Sequence, residues 1–174
     1  DYFSKEIELK KETLYNCKMV QAQDGVSVES DTLGALLYPL EGDTFALDMV
    51  IKPERYHEFG IALHVDKELE TGYFLRMNPK NQLVAWDMWP RGEQGRYQWQ
   101  IKGDVPYQIE TARKLPKAEE YRVHIIKEKD ICVVYINDEI VLSTRMYNHK
   151  DGYAGIYVVQ GDVKLIQYKE KRSE

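Results

Sequence analysis

The chain has 174 residues, 43% of them hydrophobic and 30% charged, the size and mixture of one globular domain able to close a two-sheet core without disulfides or metals. Its formal net charge of −5 is built from both signs interspersed, with no basic stripe, which argues against nucleic acid and against an anionic membrane surface as partners. No apolar run approaches the roughly 18 residues of a membrane-spanning helix.

The aromatic set is skewed, with 13 Tyr and 3 Trp against 4 Phe. Flat rings with polar tips suit half-buried strands, and they also suit surfaces that stack on sugar rings. Two cysteines are too few for a disulfide framework. Cys132 lies in "ICVVYI" and reads as a small buried hydrophobe, while a Cys17–Cys132 bridge stays open. The chain begins at Asp1 without a Met, as a fragment or processed piece would.

Residues 1–20 read as an edge arm. "SKEIELKKETLY" (4–15) opens like a helix capping box, but Ile7 and Leu9 alternate with Glu6, Glu8 and Lys10, which favours a strand. Short alternating runs follow at 44–51, 59–65, 73–77 and 83–89. The first puts Phe45, Leu47, Met49 and Ile51 on one side, the second Phe59, Ile61, Leu63 and Val65. The stretch 90–118 is an irregular excursion rich in Gly and Pro, holding Tyr97, Trp99 and Tyr107. Runs resume at 121–127, 131–136, 140–146, 153–159 and 163–168. Turn signals separate them: "NPKNQ" (78–82), Asn137-Asp138 and "NHKDG" (148–152). Many short alternating strands without a long helical run predict an all-β, two-sheet antiparallel jelly-roll sandwich, one domain over 1–174.

Four successive predicted strands each carry an ionisable group among apolar neighbours: Asp48, His64, Arg76 and Asp87. Asp48 alternates onto the side of Ala46 and Val50, and His64 onto that of Gly60 and Ala62. Small neighbours leave space above a sheet, and strands paired as a meander would set the four residues in one row. Carboxylates that accept and a guanidinium that donates suit sugar hydroxyls, while Arg76 with Asp87 also reads as a plain cross-strand ion pair. Paired acids suggest glycoside hydrolysis as well, but an intervening Arg is expected to lower both carboxyl pKa values and spoil the acid. Trp86 alternates with Val84 and Met88 and reads as core. Trp89, at a strand exit before Pro90, is either a ring offered to ligand or a plug at the end of the sandwich. Arg145, Tyr147 and His149 alternate into a turn, as a rim or as a solvated edge. No cofactor or catalytic fingerprint occurs. Asp43, Asp66 and Asp151 are candidate ligands for a structural calcium, although no loop carries a recognisable calcium pattern.

The segments "GYFLRMNPKNQLVAWDMWPRG" (72–92) and "ICVVYINDEIVLSTRMYNHKDGYAGIYVVQGDVKL" (131–165) resemble the C-terminal β-sandwich of glycoside hydrolase family 32 proteins, a concanavalin-like fold. The same sandwich occurs in the fructan-binding carbohydrate-binding module family 66. The resemblance implies a non-catalytic accessory domain whose partners are a carbohydrate (a fructoside or another glycan) and the catalytic domain of a parent protein. By that analogy Asp48, Arg76 and Asp87 would hold a terminal fructose, and in some members the sandwich only buttresses the enzyme.

Overall fold

The computed structural model describes residues 2–89, 107–108 and 112–173. Tyr97, Trp99 and the Tyr107 side chain lie outside the described residues. Antiparallel strands dominate, and they stack as two layers, as the alternation predicts. The first layer runs β12 (Ile140–Arg145), β11 (Ile131–Ile136), β10 (Tyr121–Glu128), β5 (Phe45–Arg55) and the C-terminal half of β13 (Tyr153–Arg172). Beyond these lie β1 (Lys5–Ile7), the start of β4 (Gly25–Pro39) and β3 (Lys18–Ala22). The second layer runs β2 (Thr13–Tyr15), the end of β4, the start of β13, β6 (Glu58–Val65), β7 (Gly72–Asn78), β8 (Leu83–Trp89) and β9 (Tyr107–Gln108).

Two long strands therefore belong to both layers. β13 crosses between them where its register slips, between Val159 and Gly161, and Gln160 there has φ +50°. Strands that switch sheets do so at such irregular points. Gly161 is required: a Cβ there would run into the Arg55 carbonyl and lie 2.6 Å from the Tyr56 Cα. The alternation predicts separate runs at 153–159 and 163–168, whereas the chain passes through both as one strand.

Between the layers lies a core that includes Phe45, Leu47, Met49 and Ile51 from β5, Phe59, Ile61 and Leu63 from β6, and Trp86 from β8. Cys132 is buried within it, and both cysteines are free. A second buried cluster, formed by Ala35, Leu37, Ala62, Val65, Leu69 and Tyr157, covers the outer face of the second layer. That cluster explains why β4 lacks an alternating pattern: Leu36 faces the inner core while Ala35 and Leu37 face the outer cluster.

Candidate functional site

β6, β7 and β8 pair in sequence order, so their outer-facing side chains line up in rows. One row runs Tyr157, Gly60, Arg76, Ala85, and the next Gly155, Ala62, Phe74, Asp87. Gly60, Ala62 and Ala85 make a low floor, and the Tyr157 ring lies over it. A Cβ on Gly60 would strike the Leu75 carbonyl and come within 2.7 Å of that ring. The result is an open hollow of about 380 Å³, within the range of small-ligand sites. Tyr15, Leu33, Leu69, Phe74 and Trp89 supply its apolar wall, and Glu58, Glu68, Arg76 and Asp87 its charges.

Arg76 stands between two acids. Its Nη1 is 3.6 Å from Asp87 Oδ2, and its Nε is 3.8 Å from Glu58 Oε1. Tyr157 donates its hydroxyl to Glu58 Oε2 at 3.2 Å. Both ion pairs are longer than a hydrogen bond, and Arg76 Nε is buried without a hydrogen-bond partner among the described residues. Burial raises the Asp87 carboxyl above its ordinary pKa against the opposing pull of Arg76. Glu58 is raised the same way, against Arg76 and the Tyr157 hydroxyl. The expectation that a neighbouring Arg would lower the carboxyl pKa is thus reversed at Asp87, because desolvation outweighs the cation. Tyr157 is fully enclosed, and its phenol is pushed well above the usual value by burial and by Glu58.

The structure brings together Arg76, Asp87 and Trp89, and it separates the other sequence candidates from them. Asp48 belongs to β5 in the first layer, because β5 and β6 do not pair with each other; β13 lies between them. Its carboxylate hydrogen-bonds His124 Nδ1, and Lys171 Nζ sits 3.3 Å from its other oxygen. His64 is turned inward instead of outward. Three residues of β13 (Tyr153 to Gly155) lie opposite four of β6 (Val65 to Ala62), a bulge in which His64 has φ +54°. The bulge reverses the alternation, so Val65 joins the outer cluster and the His64 ring packs 5.5 Å from Phe45. His64 Nδ1 donates to the Asp151 carbonyl at 2.8 Å, and burial lowers its pKa to about 4. Arg145, on the edge strand β12, pairs loosely with Asp130 at 3.7 Å, and Tyr147 is 63% exposed; neither lines the hollow. His149 packs edge-on against Tyr73.

Glu58, Glu68 and Tyr157 line the hollow but are not among the residues that the sequence singles out. Glu58 carried a signal: it heads "EFGIALHV" on the same side as Gly60 and Ala62. Tyr157 carried none, since its strand is apolar on both faces. Among the described residues no three His, Cys, Asp or Glu side chains converge as metal ligands. Asp66 Oδ1 instead accepts from the Glu70 and Thr71 amides at 2.7 and 2.8 Å, and Asp151 accepts from the Gly42 amide at 2.6 Å. Asp43 sits 3.7 Å from Lys150 Nζ.

No family model matches the chain, and no curated protein does. Solved structures do. The carbohydrate-binding module CBM66 from Bacillus subtilis superposes with a TM-score of 0.77 at 17% identity, over 94% of this chain and 96% of that one. The exoplasmic/lumenal domain of VIP36 in its Ca2+/Man3GlcNAc-bound form gives 0.64 at 10% identity, over 94% and 84%. Domain 4 of AbnA, a family GH43 extracellular arabinanase from Geobacillus stearothermophilus, in complex with arabinotriose, gives 0.55 at 11%, over 95% and 84%. What they share with this chain is the fold.

Proposed function

We propose that this chain is a non-catalytic carbohydrate-binding β-sandwich whose hollow over β6, β7 and β8 grips the end of a glycan. One observation carries the reading: Arg76 Nε is buried, has no hydrogen-bond partner among the described residues, and is flanked by two carboxylates just beyond hydrogen-bonding reach. A hydroxyl entering between them would accept from the guanidinium and donate to Asp87 or Glu58, satisfying groups that the described residues leave short. Phe74 and Trp89 offer apolar faces to the ring. Sandwiches of the same fold have been captured with Man3GlcNAc and arabinotriose, which supports a sugar as the ligand class.

The finer reading is a terminal fructoside. It rests on the resemblance of 72–92 and 131–165 to the family 32 sandwich; the likeness to CBM66 is one of fold. Binding is preferred to hydrolysis because the resemblance implies an accessory domain; the raised Glu58 and Asp87 pKa values alone would suit a general acid.

Calorimetric titration with levan, inulin and sucrose tests the proposal. Saturable heat with a fructoside, lost in Arg76→Ala, is expected. Absence of heat with every fructoside at millimolar concentration overturns the fructoside, and the same silence with mannose and arabinose oligosaccharides overturns the sugar site. Release of product from any of these sugars would overturn the non-catalytic part.

A further inference from the structure

The outer face of the first layer carries a polar row of its own. Val141, Tyr135, His124, Asp48 and Lys169 are register partners on five neighbouring strands, β12, β11, β10, β5 and β13. His124 is held by Asp48 through Nδ1, which leaves Nε2 directed away from the acid. The Tyr135 and His124 rings stand 6.1 Å apart and 35° from parallel, with Tyr135 36% exposed. Around them opens a groove of about 540 Å³, to which Arg122, Asp138 and Gln167 contribute.

We infer that this groove is a second glycan-binding face, on the side of the sandwich opposite the Arg76 hollow. Its chemistry is that of a neutral polyhydroxylated ring. One exposed aromatic face can stack on it, Arg122 and the Gln167 amide can donate, and Asp138, the Gln167 carbonyl and His124 Nε2 can accept. Both signs of charge are present, and Asp48 already pairs with Lys171 and accepts from His124 Nδ1, so neither an anion nor a cation is selected. Two faces pointing in opposite directions let one domain engage two chains of a polysaccharide, raising avidity without new contacts in the first site. The inference rests on the proposed function only for its choice of ligand.

The test is a titration of the isotope-labelled full chain with short inulin-type fructo-oligosaccharides, following backbone amides by NMR. Saturable shifts at Tyr135 and His124, weakened at least tenfold in Tyr135→Ala while Gly60 still responds, are expected. His124→Phe, which removes the Nε2 acceptor and keeps a ring, should weaken the same response. Shifts at Gly60 with Tyr135 and His124 silent at saturation overturn the second face and leave the first. Shifts at Tyr135 with Gly60 silent support the second face and overturn the fructoside reading of the first, and silence at both overturns the second face together with that fructoside reading. Shifts at Tyr135 that grow with protein concentration alone mark contact between copies of the chain and overturn the inference.

Discussion

Arg76 and Asp87 are diagonal neighbours: Arg76 faces Ala85 and Asp87 faces Phe74 across the β7–β8 ladder, with 3.6 Å between guanidinium and carboxylate. Direct opposition would favour a closed pair; the diagonal leaves room for a hydroxyl to join. Asp87→Asn keeps the shape and removes the charged acceptor. Sugar affinity should fall about tenfold or more, the scale of a hydrogen bond to a charged group, about 1.5–3 kcal/mol. Stability should hold or rise slightly, because the raised Asp87 pKa shows that burial already disfavours its charge. Calorimetry and urea denaturation of the same variant check both halves.

Gly60 gives the hollow its depth. In Gly60→Ala the new methyl meets the Leu75 carbonyl and the Tyr157 ring, and the backbone cannot yield cheaply. Overpacking of this kind costs about 1–3 kcal/mol, and displacement of Tyr157 would remove the donor that orients Glu58. The variant should melt earlier and bind sugar weakly. Tyr157→Phe separates the two effects: it keeps the packing, loses the hydroxyl, and should weaken binding with little change in melting temperature.

Much of this architecture is legible in the sequence, and the failures have local causes. The alternation in β5 and β6 correctly sorts Phe45, Leu47, Phe59 and Ile61 into the core, because one face of each strand meets the other layer. It fails at His64 and Val65, where one bulge inverts the pattern over two residues. It gives no signal in β4, whose second half is apolar on both faces. The row of ionisable groups divides between two layers because pairing order is a non-local property: β13, about a hundred residues downstream, comes between β5 and β6. Arg76 and Asp87 stay together because their strands form a hairpin over a short turn, the one kind of pairing that a local reading recovers.

Sugar binding should weaken in acid earlier than ordinary carboxylates would require. Glu58 and Asp87 accept from hydroxyls most strongly when ionised, and burial raises the pKa of both. Affinity is therefore lost as pH falls through their raised values, beginning above the usual carboxylate range. Titrations at a series of pH values from 7 to 4 would show this. A constant Kd across that interval would mean that neither acid touches the ligand.

Folding stability should carry a separate acid dependence that belongs to His64. Its pKa is lowered from 6.5 to about 4 by burial, so as pH falls below 6.5 the unfolded chain takes up a proton that the folded chain refuses. Stability is complete above 6.5 and declines toward 4, by about 3 kcal/mol if the whole displacement is expressed. Glu58 and Asp87, raised in the fold, act in the opposite sense, contributing stability at low pH that is lost as pH rises. The His64 share is isolated by comparison with His64→Asn. Asparagine tolerates the positive φ and offers a side-chain donor toward the Asp151 carbonyl, but it does not titrate. Urea unfolding at pH 7 and pH 4.5 should show a smaller loss in the variant than in the parent chain. Equal losses would mean that the His64 imidazole is protonated in the fold or reaches water through an opening of the β6 bulge.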